Sequence, residues 1–131
     1  MVNYQPENWV SSVERPDDFD DFWGGILEQA EKTPLETELT FIEMRSTPEV
    51  DVYDIRYTSY DDIKIAAWYC KPKGTGPFPG LLHLPGYVSE PTLPKSLARA
   101  GYAVIGAAPR GKLRSNQIFN PGYPGLLTHN I

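Results

Sequence analysis

The sequence predicts an α/β protein with an incomplete sheet, on three observations. An apolar stripe of helical period near the start is followed by segments that alternate as half-exposed antiparallel strands do. At Phe78 the character changes to nearly continuous apolar runs on either side of a helical stretch, the pattern of a β-α-β unit covered on both faces. Beyond Ala108 no further strand is predicted, so the sheet stops growing before it is closed. The 131 residues, 40% hydrophobic and 22% charged, allow one core and fit a single domain or one lobe of a larger one; 1–131 is read as the N-terminal part of one domain, with 1–36 as an N-terminal helical extension and 37–131 holding the first strands and the β-α-β unit.

From Pro16, the residues Phe19, Phe22, Trp23, Ile26, Leu27 and Ala30 fall at i, i+3, i+4, i+7, i+8 and i+11, one stripe of an α-helix. Pro16 suits the first turn, Asp17, Asp18, Asp20 and Asp21 favour the positive end of the helix dipole, Lys32 favours the other end, and Pro34 stops the helix. Those acids read as a solvated first turn, and no metal is assigned to them. Gly24-Gly25 weakens the middle by about 1 kcal/mol per glycine relative to alanine. Leu39 to Met44 reads as a short strand. Tyr53, Ile55 and Tyr57 then alternate with Asp54, Arg56 and Thr58, Ser59 to Asp62 turn, and Ile63 to Cys70 form the partner strand. The breaker-rich loop from Lys71 to Pro77 leads to strand 80–84, helix 93–100 with Gly101 as its cap, and strand 102–108, a right-handed parallel crossover. Pro109 to Ile131 reads as loop. A strand such as 102–108 is seldom a bare edge, so a complementary chain is expected to cover it, and the isolated chain is expected to self-associate through it.

Charge divides the chain sharply. Sixteen of the 17 acids lie in residues 1–62 with four bases, and eight bases lie in 63–131 with one acid, Glu90. The bases are scattered without a stripe, which excludes a nucleic-acid face. Cys70 alone forms no internal disulfide, the start lacks the basic and apolar regions of an export signal, and no run approaches the ~18 apolar residues of a membrane span. A cytoplasmic protein is expected. No Cys/His cluster or phosphate-type glycine loop is present, so neither cofactor nor metal is expected.

Serine hydrolysis on an α/β scaffold needs G-x-S-x-G, then an acid and a histidine. Ser11, Ser12, Ser46, Ser59, Ser89, Ser96 and Ser115 all lack the flanking glycines, and no carboxylate side chain follows Glu90. His83 sits inside an apolar strand and reads as a structural, hydrogen-bonded histidine, while the role of His129 stays open. A complete triad is absent. What does follow a buried strand is Leu84-Pro85-Gly86-Tyr87-Val88, a turn through glycine where free backbone N–H groups can point at a developing oxyanion.

Four segments then carry a resemblance: Arg15-Pro16-Asp17-Asp18-Phe19-Asp20-Asp21-Phe22-Trp23, Pro79 to Tyr87, Gly101-Tyr102-Ala103-Val104 through Arg110-Gly111, and Pro121-Gly122-Tyr123-Pro124-Gly125-Leu126-Leu127-Thr128. In order and content the chain resembles the N-terminal part of the acetyl xylan esterase / cephalosporin C deacetylase family of α/β hydrolases. The resemblance implies that the backbone N–H of Tyr87 belongs to the oxyanion hole, that Gly86, Tyr87 and Val88 line the substrate site, and that Arg110 and Gly111 are scaffold. The family's H-G-Y histidine is Pro85 here, the glycines after the tyrosine are Val88 and Ser89, and the aspartate ahead of R-G is Ala108. The family's nucleophile, aspartate and histidine find no match in these residues.

Two functions follow. In the first, the chain is the N-terminal part of a serine carboxylesterase or deacetylase acting on small acetylated substrates, in a hetero-oligomer with a C-terminal hydrolase chain that carries Ser, Asp and His. In the second it is a noncatalytic binding or regulatory protein derived from the same family.

Overall fold

The computed structural model describes residues 6–8, 10–86 and 89–116. Helix α1 (Phe19–Lys32) is followed by strands β1 (Glu38–Phe41), β2 (Val50–Thr58), β3 (Lys64–Pro72) and β4 (Gly80–His83), helix α2 (Lys95–Arg99), strand β5 (Ala103–Ala108) and the short helix α3 (Leu113–Asn116). The strands form one mixed sheet in the order β1-β2-β3-β5-β4. The first three run antiparallel, β3 pairs antiparallel with β5, and β4 pairs parallel with β5. The helix, the antiparallel strands and the β-α-β unit therefore follow the order read from the sequence. Gly101, at φ +104, ends α2 as expected, its N–H donating to the Ala98 carbonyl at 3.0 Å.

The edge differs from expectation. Strand β5 is not bare, because the crossover through α2 lays it beside β3, with Ala66 opposite Ala108 and Cys70 opposite Val104. Among the described residues the sheet ends at β1 on one side and at β4 on the other, and β4 has β5 as its one neighbour. Its four residues are short enough that the apolar run did not separate edge from centre. A second difference lies after Pro109, where residues 113–116 form a helical turn instead of loop.

The two faces of the sheet are unlike. Val50, Val52, Cys70 and Ala98 are wholly buried in a core completed by Trp68 and Leu93, on the face that α2 and α3 cover. On the opposite face the register lines up Phe41, Tyr53, Tyr69, Ile105 and Leu82 in a row across all five strands. This row is exposed at both ends, with Phe41 at 47% and Leu82 at 63%. The apolar stripe of α1 is exposed as well, and this helix touches mainly the turn at 60–62.

The charge division resolves into pairs that join the two parts of the chain. Glu36 pairs with Lys64, Asp51 with Lys71 and Lys73, Glu49 with Arg99, and Asp54 with Arg114. No described helix is long and apolar enough to cross a membrane.

Self-association of the isolated chain is accordingly expected through β4. Leu82→Lys places a charge on the exposed row of the edge strand. It is expected to lower the associated fraction in sedimentation velocity, whereas an equivalent charge at exposed Met44, distant from the edge, is expected to leave it unchanged.

Candidate functional site

The turn leaving β4 is built from both sides. Gly86 presents its carbonyl to three donors: the Ser89 N–H at 3.2 Å, the Ser89 hydroxyl at 3.3 Å and the Lys112 ammonium at 3.1 Å. Lys112 is 2% exposed, while Gly86 itself is exposed, so the contact is part-buried. Four residues after Gly86, the Glu90 carboxylate accepts the Leu113 N–H at 3.2 Å on each of its oxygens. Leu113 opens α3, where a free N–H and a negative charge are complementary.

The segment that supplies Lys112 and Leu113 is itself pinned to the sheet. Gly111 adopts φ +91, a conformation that side-chain-bearing residues rarely take, and Lys112 N–H closes the turn onto the Pro109 carbonyl at 3.0 Å. Ser115 is wholly buried; its hydroxyl accepts the Ala66 N–H at 3.0 Å and donates to the Ala108 carbonyl. Arg114 lies over the Trp68 ring at 3.4 Å from the centroid and pairs with Asp54 at 2.8 Å. Arg56 shares that carboxylate at 3.2 Å, and Arg45 lies over the Trp68 ring at 5.1 Å. Desolvation, more than any neighbour, holds the Arg114 guanidinium below its ordinary pKa.

Of the residues predicted for the site, Gly86 is exposed at the carboxyl end of β4 and tethered as described. Tyr87, Val88 and His129 lie outside the described residues, as does the segment Pro121 to Thr128. Ala108, standing where the family pattern has an aspartate, is wholly buried and gives its carbonyl to Ser115. Arg110 is on the surface. His83 lies on β4, and its Nδ1 is buried with no hydrogen-bond partner among the described residues. Burial pushes the Cys70 thiol up to about 11, which removes it as a nucleophile at neutral pH. Among the described residues no three His, Cys, Asp or Glu side chains come together to hold a metal ion.

Lys112, Glu90 and Ser115 were not singled out by sequence reasoning as parts of the site. One signal was available: Glu90 is the only acid after residue 62, and such an acid has eight bases and several helix ends to answer. A cleft of about 340 Å³ opens at the same end of the sheet, lined by Leu82 and Leu84 of the β4 segment, Ile65, Ala107 and the Tyr57 and Tyr60 rings, with Arg110 on its border. Its apolar lining and its place at the carboxyl end of parallel strands suit a small ligand.

The model of the acetyl xylan esterase family, AXE1, matches residues 3–129. The chain belongs to the acetyl xylan esterase family. Over 105 residues, 77% of the chain, it is 29% identical to acetyl esterase Axe7A of Xylanibacter ruminicola, and the match spans 24% of that protein. Among solved structures, acetyl xylan esterase 1 from Thermoanaerobacterium sp. JW/SL YS485 superposes on 74% of the chain and 31% of its own length, with TM-score 0.67 and 28% identity. The acetyl xylan esterase from Paenibacillus sp. R4 covers 86% of the chain and 37% of its own, with TM-score 0.74 and 26% identity. The helix and open five-stranded sheet are thus the N-terminal portion of the acetyl xylan esterase fold, and the chain spans between a quarter and two fifths of these relatives.

Two outcomes test the scaffold. Asp54→Asn leaves two half-buried guanidiniums around a neutral amide, and is expected to cost about 1–3 kcal/mol in urea unfolding. The Cys70 thiol has its folded pKa raised from 9.0 to about 11, so its contribution is complete below pH 9 and is lost as pH rises towards 11. Relative to Cys70→Ala, the parent chain is expected to lose up to about 2 kcal/mol across that window, read by denaturant titration at each pH.

Proposed function

We propose that this chain is the N-terminal segment of a serine carboxylesterase of the acetylesterase type, and that the backbone N–H of Tyr87 contributes to its oxyanion hole. The Ser-His-Asp triad is carried by polypeptide outside these residues, either a partner chain or a further segment. The observation that carries this reading is the unpaired parallel edge of β4 running directly into the tethered Gly86 turn. Such an edge, beside a row of exposed apolar side chains, is a seat for another strand and its helices. Membership of the acetyl xylan esterase family and the names of the relatives support an acetylated, carbohydrate-type ester as substrate.

In the assembled site the serine hydroxyl attacks the ester carbonyl carbon while the histidine takes the hydroxyl proton. The carbonyl oxygen gains the negative charge and turns towards the N–H of Tyr87, where a preorganised donor stabilises it. Collapse of the tetrahedral intermediate expels the alcohol, which takes the proton from the histidine. Water then repeats the sequence on the acyl-enzyme and releases acetate. The chain's own part is to hold the N–H in place and to shape the cleft near Leu82 and Leu84.

The test is intact-mass analysis of the native protein with fluorophosphonate labelling. The 131-residue chain alone is expected to hydrolyse no p-nitrophenyl acetate, and the native assembly is expected to hydrolyse it and to take the label on a serine outside this chain. A native protein consisting of this chain alone, unlabelled, overturns the reading. Retention of an acetylated oligosaccharide without turnover would establish the noncatalytic binding role instead.

A further inference from the structure

We infer that Arg45, Arg56 and Arg114 form a binding site for a small oxyanion of the carboxylate or phosphate class, a role separate from the ester chemistry proposed above. Four parts of the fold bring the groups together. Asp54 and Arg56 lie two residues apart on β2 and so share one face, and Trp68 stands opposite Asp54 on β3. Arg114 reaches in from α3, and Arg45 from the helical turn Glu43–Arg45 that follows β1. The Arg114 guanidinium lies 3.4 Å from the centroid of the Trp68 ring and that of Arg45 5.1 Å from it. Three positive charges therefore gather at one ring and one carboxylate.

Donors exceed acceptors here. Asp54 gives one oxygen to each neighbour: Oδ1 accepts from Arg114 Nη2 at 2.8 Å and Oδ2 from Arg56 Nη2 at 3.2 Å. Among the described residues no other carboxylate pairs with these guanidiniums, so two positive charges are in excess. Arg56 Nη1 and Arg114 Nε are buried and have no partner among the described residues. A guanidinium carries five N–H donors, and those left unmet away from water cost their desolvation. Repulsion adds to this: burial lowers the Arg114 pKa most, and Arg56 and Arg45 lower it further against the pull of Asp54. Fastening α3 to the sheet takes one guanidinium on one carboxylate, with Trp68 beneath it. The second and third add only repulsion unless a further negative group answers them. The cluster is open to such a group, since the side chains of Arg56 and Arg114 keep 30% and 19% exposure and Arg45 is exposed. An oxyanion spreads its charge over two or three oxygens, which suits forked guanidinium donors better than single ammonium groups.

The test is a titration of the 131-residue chain, labelled with 15N-arginine, with inorganic phosphate in exchange for chloride at constant ionic strength. The Nε–H resonances of Arg56 and Arg114 are expected to shift and to saturate, with a dissociation constant of about 1 mM, while those of Arg15 and Arg99 stay in place. Arg45→Gln and Arg56→Gln are each expected to weaken phosphate binding about tenfold, and Asp54→Asn, which removes the competing carboxylate, to strengthen it about as much. Should Arg56→Gln not fold, Arg45→Gln, at an exposed position, decides alone. Resonances that do not move, that shift without saturating, or that shift equally at Arg15 and Arg99 overturn the inference, as does unchanged affinity in Arg45→Gln. The source of the oxyanion is read in the native assembly. Resonances of Arg56 and Arg114 that still respond to phosphate there assign a free anion. Resonances already at the bound position and indifferent to phosphate, in an assembly that Arg45→Gln with Arg56→Gln weakens, assign a carboxylate side chain of the further polypeptide. Resonances that neither stand at the bound position nor respond overturn the site.

Discussion

Much of this structure hangs from the buried hydroxyl of Ser115. Ala66 and Ala108 face each other at one end of the β3/β5 pairing, and the hydroxyl stands between them, accepting from the N–H of one and donating to the carbonyl of the other. A side chain in a backbone ladder leaves no polar group unpaired and brings its own helix against the sheet. Helix α3 is only four residues long and could not hold itself in place by its own hydrogen bonds. Pinned at Ser115 and stacked at Arg114 on Trp68, it becomes a fixed mount from which Lys112 and Leu113 reach the turn after β4.

Electrostatics reinforces the same mount. Asp54 on β2 serves both Arg114 and Arg56, so a carboxylate from the acidic part of the chain anchors the basic loop that follows β5. On the other side of the sheet's length, Asp51 serves Lys71 and Lys73, and these contacts, Lys71 foremost, hold its carboxyl below its ordinary range. Each such pair is modest where water reaches it. Glu49 with Arg99 and Asp54 with Arg114 tie the antiparallel strands to α2 and α3, whereas the pairs of Glu36 and Asp51 join the antiparallel part to β3 and the loop after it.

The order of elements was legible because the side-chain period changes where the architecture changes: alternation through Tyr53 to Thr58, unbroken apolar residues through Tyr102 to Ala108. Which strand lies at the edge was not legible. Period reports how many faces of a strand are covered and says nothing of which strand lies beside it, so β5 and β4 read alike. The helical stripe of α1 was plain in the sequence, yet its Phe22 and Leu27 are exposed, since amphipathic spacing marks a face that needs a partner without naming one. Gly86 was singled out as a candidate from the strand-to-glycine pattern. Lys112 was counted among scattered bases, because a contact between residues 86 and 112 depends on how α3 is mounted, and no local pattern encodes that.

The order of the strands has a consequence for where chemistry can occur. From β4 the chain passes through α2 to β5 and so moves towards β3. A strand added at the free edge of β4 would lie on the other side, and the connections on the two sides of β4 would part in opposite directions. In an open α/β sheet this reversal is a topological switch point, and the diverging loops leave a crevice at the carboxyl ends of the strands without any side chain having to carve it. Gly86 follows β4 at this end of the sheet, so connectivity, before any side chain, brings the end of β4 to such a crevice, and Lys112 and Glu90 hold the residues beside it.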